Sequence, residues 1–310
     1  MESPHPPTGH LSTSGVALAL SCYVLWGIVP VYWKAIHSIP AHEVLIARVL
    51  WTLVLMVGVL LASGRRDELR ERSAKGWLWT FAAASLLAVN WGVFIYAVQI
   101  GQVLATSLGY YINPLMSVVL GMLFLGERLT RIQGLSVAIA TTGVVAMTIE
   151  AGELPWIALV LATSFAVYGL LHKLRPQPPL GGLVREMLVL SPFALGILAL
   201  MLSRSGAALA SATPAEHALI SLSGPITAVP LLLFHASTRR LPLVVVGMFQ
   251  YIAPTLTFLL ATLYYHEPFT HDAAIGFALV WLGLALFLFD AVQRLRALAP
   301  LSLPSPLSTK

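Results

Sequence analysis

Long apolar runs separated by short polar stretches recur ten times along the chain. Each run has about the 20 residues that a helix needs to cross the hydrocarbon core of a bilayer. The runs are apolar on all sides of a helix, which is typical of membrane-spanning helices. The spans are predicted at 15–36, 42–62, 77–98, 102–125, 131–149, 154–172, 183–203, 217–236, 241–265 and 271–290.

The composition supports a lipid environment. Of the 310 residues, 58% are hydrophobic and 10% are charged, whereas a soluble domain carries roughly 25% charged residues. The net charge of +5 does not indicate a nucleic-acid partner, because the basic residues form short clusters between apolar runs. The segment 1–14 lacks Lys and Arg, and no clear cleavage signature follows it. We therefore predict a retained first helix.

Lys and Arg are distributed unequally between alternate loops. One set of loops and tails holds Arg65, Arg66, Arg70, Arg72, Lys75, Arg128, Arg131, Lys173, Arg175, Arg185, Arg239, Arg240, Arg294, Arg296 and Lys310. The opposite loops hold only Lys34 and Arg204. The positive-inside rule predicts that the first set is cytoplasmic. The tails 1–14 and 291–310 then both lie in the cytoplasm, which agrees with an even number of spans.

An internal repeat divides the chain. The segment 111–143 aligns with 251–283 without a gap. The identical pairs are Tyr111/Tyr251, Ile112/Ile252, Pro114/Pro254, Leu120/Leu260, Leu123/Leu263, Glu127/Glu267, Thr130/Thr270, Ala138/Ala278 and Gly143/Gly283. The halves 15–149 and 154–290 then have an odd number of helices each and must lie in opposite orientations. The sequence predicts an all-α integral membrane protein with ten transmembrane helices in two inverted-topology repeats, an architecture of secondary transporters.

The fourth and ninth helices each carry small and polar residues at steps of three and four, and so on one face. The two sets are Thr106, Tyr110, Asn113, Ser117 and Gly121, and Val246, Gln250, Ala253, Thr257 and Ala261. Such a face lines a cavity or allows close helix packing, and the sequence leaves both interpretations open.

Arg48 is the most costly side chain in the sequence, because it lies about two turns into the second helix. Placing Arg near the middle of a bilayer costs about 2.5–3.5 kcal/mol on insertion scales. Its predicted partners are Glu43 and the ring of Trp51. It is either an anchor for an anion or substrate, or a brace between helices.

Further candidates lie on the same helices. Proline removes a helical hydrogen bond and frees a carbonyl, so Pro30, Pro114 and Pro254 are predicted bending points. The predicted lining of a small-molecule site, with Arg48 as anchor, consists of Trp26, Asn90, Phe94, Tyr110, Asn113, Tyr168 and Gln250.

The acidic residues and histidines near the helix ends have other predicted roles. Glu127 with Thr130, and Glu267 with Thr270, are predicted as structural turn elements in which the threonines cap the following helices. His172 and His235 lack a third ligand at usable spacing, so no metal site is predicted. No cofactor or nucleotide motif is present either. A channel or a non-transporting sensor is the alternative to a transporter, and a membrane-embedded enzyme is less favoured.

Several motifs are distinctive in combination. They are Trp26-Gly27 with Pro30, Arg48-x-x-Trp51, Asn90-Trp91 with Phe94-Ile95, Ser107-Leu-Gly-Tyr-Tyr-Ile-Asn-Pro114 with Gly126-Glu127-Arg128, and Gln250-Tyr-Ile-Ala-Pro254 with Glu267-Pro268-Phe269. Together they resemble the RarD group of EamA-type permeases in the drug/metabolite transporter superfamily. The resemblance covers roughly 15–290.

The resemblance implies two EamA repeats, cytoplasmic termini and residence in a bacterial plasma membrane. It also implies transport of a small metabolite or amphiphilic drug, with an association to chloramphenicol sensitivity or resistance. Ala47 stands where the family often has His, and Ala105 stands where it often has an acidic residue. A coupling role of that acidic residue would therefore have no counterpart here. Both a monomer and a homodimer remain open.

Overall fold

The computed structural model describes residues 12–71, 73–100, 103–150, 156–203, 207–264 and 271–298, and no β-strand occurs among them. Ten helical segments in these residues are long and apolar enough to cross a membrane. The helices are α1 Thr13–Ala35, α2 Ala41–Ala62, α3 Ala74–Gln99, α4 Val103–Leu125, α5 Arg131–Glu150, α6 Trp156–Leu174, α7 Pro179–Ser203, α8 Ala208–Ser211, α9 Pro214–Ser221, α10 Ser223–Thr238, α11 Leu243–Phe249, α12 Ile252–Leu259 and α13 His271–Leu298. A 3₁₀-helix, Arg66–Leu69, follows α2, and a π-helical turn, Leu260–Tyr264, follows α12.

Two of the predicted spans consist of more than one helix. The eighth is divided into α9 and α10 at Leu222. The ninth is divided at Gln250 and Tyr251, one turn before Pro254. Pro254 has no N–H to donate to the carbonyl of Gln250, and the N–H groups of Gln250, Tyr251 and Ala253 instead donate to carbonyls three residues back, at 3.0, 3.3 and 3.2 Å. By contrast, α1 and α4 continue past Pro30 and Pro114 without interruption.

The two halves pack against each other through matching helices. The fifth span contacts the tenth (α5 with α13), the second contacts the seventh (α2 with α7), and the fourth contacts the ninth (α4 with α11). The first span packs on the eighth and ninth (α10 and α12), and its counterpart α6 packs on the third and fourth (α3 and α4). If each span is replaced by its counterpart in the other half, the same set of helix contacts results.

Glycines permit close approach between the halves. A Cβ added at Gly143 of α5 would lie 2.7 Å from the carbonyl oxygen of Gly276, and one added at Gly283 of α13 would lie 2.7 Å from the carbonyl oxygen of Ser136. In the alignment of the two halves, Gly143 pairs with Gly283 and Ser136 pairs with Gly276, so the two contacts are equivalent. The repeat seen in the sequence therefore reappears as a repeated backbone contact, which only a residue without a side chain allows.

Candidate functional site

Arg48 lies in a cage of side chains from three other helices. Its Nε donates a hydrogen bond to the hydroxyl of Thr227 on α10, at 3.1 Å. Its guanidinium carbon lies 4.2 Å from the ring centroid of Trp91 on α3 and 5.5 Å from that of Trp33 on α1. Both distances fall within the range of a cation–π interaction. The aromatic faces stabilise the cation without neutralising it.

The partners that the sequence predicted for Arg48 were wrong. Both carboxylate oxygens of Glu43 accept backbone N–H bonds at the start of α8, from Ala208 at 2.9 Å and Leu209 at 2.7 Å. Trp51 is 42% exposed on the surface of the bundle. Spacing along one helix could not reveal these partners, because they come from other helices. No carboxylate pairs with Arg48 among the described residues.

The partial exposure of Tyr110 indicates space inside the bundle next to this cage. Tyr110 is 44% exposed, although Thr106, Asn113 and Ser117 on the same face of α4 are buried. The exposed surface of Tyr110 therefore faces the interior and not lipid. The side chain of Tyr110 lies near that of Arg48. The ring of Phe94 lies 6.3 Å from that of Tyr110.

A row of aromatic rings leads away from this space. Trp26 lies seven residues before Trp33 on α1, so the two indoles are about 10 Å apart along nearly the same face of the helix. The ring of Trp26 lies 5.5 Å from Phe165 and 6.1 Å from Phe234. Phe234 in turn stacks on Tyr168 at 5.9 Å. Trp26 and Tyr168, both predicted as lining, thus belong to one continuous aromatic cluster.

Four buried side chains meet at the far end of this row. The hydroxyl of Tyr168 donates to Oε2 of Glu186 at 2.8 Å, and the same hydroxyl lies 2.5 Å from Nε2 of His235. Nε2 of His172 lies 2.9 Å from Oε1 of Glu186 in an ion-pair contact that is poorly aligned for a hydrogen bond. We call Tyr168, His172, Glu186 and His235 the Glu186 cluster.

The Glu186 cluster supplies the third group that the sequence analysis missed beside the two histidines. Glu186 lies in an apolar run of the seventh span, and only the packing of α6, α7 and α10 brings it to the histidines. The isolated carboxylate within a span was the one sequence signal that could have pointed to it, since such residues are rare and mark functional positions.

The three predicted lining residues with amide side chains, Asn90, Asn113 and Gln250, differ in their hydrogen bonds. Nδ2 of Asn90 donates to the carbonyl of Leu161 at 2.9 Å and to the hydroxyl of Ser164 at 3.0 Å, which joins α3 to α6. Asn113 and Gln250 are buried, and Oε1 of Gln250 has no hydrogen-bond partner. The structure therefore places Asn90 in a helix contact, and Gln250 at the break between α11 and α12.

The turn after α4 joins the two halves. Oε1 and Oε2 of Glu127 accept N–H bonds from Leu243 at 2.6 Å and Val244 at 2.7 Å, at the start of α11. Glu127 was predicted as a structural turn element, but its spacing in the sequence could not reveal that its carboxylate binds the start of a helix in the other half. Thr130 caps α5 by accepting from the N–H of Gln133 at 3.1 Å. Glu267 and Thr270 lie outside the described residues.

The chain is similar to a family of transporters and to individual bacterial members of the RarD type. Residues 13–149 match the EamA-like transporter family. The chain is 41% identical to the uncharacterized transporter YojE of Bacillus subtilis, over 91% of this chain and 96% of that protein. It is 40% identical to protein RarD of Escherichia coli over 91% and 96%, and 32% identical to the chloramphenicol-sensitive protein RarD of Pseudomonas aeruginosa over 92% and 97%.

A solved crystal structure supports the fold alone. It superposes with a TM-score of 0.71 at 17% identity and covers 90% of this chain and 99% of that chain. The sequence relatives carry the assignment further, because they are similar over almost their whole length. The ten spans and these relatives make the chain a multi-pass inner membrane permease. It belongs to the EamA-like transporter family, as a RarD-type member.

Proposed function

We propose that this permease is a secondary transporter that moves a small amphiphilic metabolite or drug across the plasma membrane by alternating access. The observation that carries the proposal is the position of Arg48 beside internal space, with aromatic neighbours and no carboxylate partner among the described residues. A cation that only braces helices would be expected to pair with an acid, because breaking or omitting such a pair at depth is costly.

The cage indicates the chemistry of the substrate. Nε of Arg48 is engaged by Thr227, which leaves the two terminal nitrogens as donors for a carboxylate, nitro or carbonyl group. Trp33, Trp91 and Tyr110 offer aromatic surface for an apolar body. Chloramphenicol has a nitrophenyl ring and an amide, so it fits this description, and one relative is named for sensitivity to it.

Two features support alternating access. The helix contacts between the halves are unchanged when the halves are exchanged, as expected for inverted repeats that rock about a site between them. The ninth span is interrupted at Gln250 and Tyr251, and discontinuous helices line the sites of many transporters. In this proposal both termini are cytoplasmic, and Pro254 is a bending point during the exchange of access.

Transport assays on a matched pair of variants test the proposal. Cells that lack the permease are complemented with the wild type, Arg48→Gln or Arg70→Gln, in which the exposed loop arginine serves as control. Cellular metabolites and accumulated labelled chloramphenicol are then compared at equal membrane abundance. We expect Arg48→Gln to match the deletion strain and Arg70→Gln to match the wild type. An Arg48→Gln profile equal to that of the wild type would refute the assigned site, and flux that never saturates would indicate a channel.

A further inference from the structure

The Glu186 cluster differs from the surroundings of the other buried carboxylates. Glu43 and Glu127 accept backbone N–H bonds at helix starts, and Asp290 pairs with Arg294 at 3.0 Å. Each of these carboxylates is held by groups that keep their protons at any physiological pH. Glu186 differs from these three carboxylates. All of its close polar partners are side chains that themselves gain or lose a proton.

The cluster contains one mobile hydrogen with two acceptors. The Tyr168 hydroxyl has a single proton, yet Oε2 of Glu186 and Nε2 of His235 lie 2.8 and 2.5 Å from its oxygen. If the hydroxyl donates to Glu186, Nε2 of His235 must carry a proton and donate it to the hydroxyl oxygen. In the opposite order the hydroxyl donates to an unprotonated Nε2 of His235, and Glu186 must be protonated and donate to the hydroxyl oxygen. A proton therefore moves between Glu186 and His235 through Tyr168 by changes in O–H and N–H bonds alone.

At most one of the two histidines in the cluster is protonated at a time. The rings of His172 and His235 are stacked with their centroids 3.8 Å apart, so two imidazolium ions there would repel each other strongly. An ionised Glu186 at 2% exposure requires one positive partner, because an unpaired buried charge is costly. Adding or removing one proton thus changes the net charge of a site that water does not screen.

The basic side chains near Glu186 form their hydrogen bonds with other groups. Arg185, the neighbour of Glu186 on α7, donates to the carbonyl of Glu68 and to the side chain of Gln177. Its Nη1 also lies 3.9 Å from Glu71. Arg185 adds a positive potential at Glu186 without forming a bond to it. From α6 the groups that face Glu186 are Tyr168 and His172, and from α10 the group is His235. Lys173 instead donates to the carbonyls of Thr238 and Leu241.

A metal site is the competing interpretation, and the geometry disfavours it. The candidate ligand atoms of His172, Glu186 and His235 lie within 4.8 Å of one another. Two imidazoles that bind one tetrahedral ion must point their nitrogens at it from about 2.0–2.1 Å. The lone pair of an imidazole nitrogen lies in the plane of its ring, so two rings that stack at 3.8 Å and only 25° from parallel are poorly placed to direct nitrogens at one ion.

The cluster is linked to the substrate site by the aromatic row. Tyr168 stacks on Phe234, which contacts Trp26. Trp26 lies on nearly the same face of α1 as Trp33, whose ring contacts Arg48. We propose that Glu186, together with Tyr168, His172 and His235, binds the proton to which transport is coupled. The coupling of this proton to transport rests on the proposed function, but proton binding by the cluster can be tested without a substrate.

Proton counting on purified protein tests the site directly. The full chain in lipid nanodiscs is taken from about pH 8 to about pH 5, the range in which histidine titrates, and bound protons are measured with an indicator dye. We expect Glu186→Gln to take up about one proton fewer per chain than the wild type, because its buried histidines lose the anion that stabilises their charged form. Asp67→Asn, which removes a 92% exposed carboxylate, should match the wild type. Equal uptake by Glu186→Gln and the wild type would overturn the proposal.

Further measurements separate the remaining outcomes. Glu186→Asp keeps an ionisable carboxyl and should retain the proton, which guards against misfolding as the cause of a loss. Stoichiometric Zn²⁺ binding by the wild type at neutral pH, abolished in Glu186→Gln, would overturn the proposal in favour of a metal site.

In proteoliposomes, Glu186→Gln should still exchange labelled for unlabelled chloramphenicol but should not accumulate it under a pH gradient. Loss of exchange would instead assign Glu186 to substrate binding and overturn the coupling role. If wild-type exchange is absent, the proposed function fails for chloramphenicol, and proton counting still decides the site.

Discussion

The rings of Tyr111 and Tyr251 contact each other across the boundary between the two halves, with centroids 6.4 Å apart and planes 33° from parallel. The alignment of the two halves pairs these two residues, so a residue and its repeat counterpart touch. A two-fold relation between the halves, with its axis passing between these residues, would produce such a contact. The fourth span, which carries Tyr111, therefore lies against the ninth, which carries Tyr251, at the centre of the bundle.

The glycine contacts on the same boundary give the first prediction. Gly143→Ala and Gly283→Ala should each lower stability, because the new Cβ would lie 2.7 Å from a backbone oxygen of the opposite half. Overpacking of this kind costs about 1–3 kcal/mol. Because the two contacts are related by the repeat, the two losses should be similar. Thermal unfolding of the purified protein in one detergent measures both.

Gly134→Ala provides the matched control on the same helix. No atom lies within 4 Å of the Cβ position at Gly134, and alanine favours a helix over glycine by about 1 kcal/mol. Its unfolding temperature should therefore stay the same or rise. Unchanged stability in Gly143→Ala would show that α5 and α13 do not approach each other this closely.

A second prediction concerns orientation. Cys22 is buried, and its Sγ donates to the carbonyl of Pro230 at 3.2 Å, so the wild type should not react with a membrane-impermeant maleimide. Asp67→Cys should react in everted vesicles but not in intact cells, because its loop is predicted to be cytoplasmic. Ser38→Cys, in the exposed turn after α1, should show the opposite pattern. Labelling of Asp67→Cys in intact cells would invert the assigned topology.

The spans and the repeat could be predicted because each depends on residues that are close in sequence or at a fixed offset. A run of apolar residues specifies a membrane helix wherever it lies, and matches between the two halves survive as contacts such as the one between Tyr111 and Tyr251. The break at Gln250 and Tyr251 was less evident. The sequence contained Pro114 and Pro254 in equivalent places, yet only the second interrupts its helix.

The surroundings of the polar residues could not be predicted in this way. The partners of Arg48 are Trp33, Trp91 and Thr227, on three helices whose packing is a property of the whole bundle. Glu186 and His235 lie on different spans, and no spacing rule connects them. A membrane helix that is apolar all round does not indicate which face turns inward, so the sequence could name candidate residues but not their neighbours.

A third prediction separates two roles for Asn90. Its hydrogen bonds to Leu161 and Ser164 indicate a brace between α3 and α6. Asn90→Ala should therefore lower stability by about 1–3 kcal/mol, because two buried hydrogen bonds are lost at about 0.5–1.5 kcal/mol each, and leave the KM for chloramphenicol unchanged. Ser164→Ala, which removes one of the two acceptors, should show a smaller loss. A raised KM at unaltered stability would instead support the lining role predicted from the sequence.

The last prediction tests how the turn after α4 holds the second half. Glu127 accepts the N–H groups of Leu243 and Val244 with its two carboxylate oxygens, and it caps α11 from the other half of the chain. Glu127→Ala should cost about 0.5–2 kcal/mol, as for other lost N-caps. Glu127→Gln should cost less, because its amide oxygen still accepts one of these bonds. The neighbouring exposed Arg128 provides the control, and Arg128→Gln should unfold at the wild-type temperature. If Glu127→Ala and Arg128→Gln unfold at the same temperature, Glu127 does not cap α11, and the two halves are held together by their apolar and glycine contacts alone.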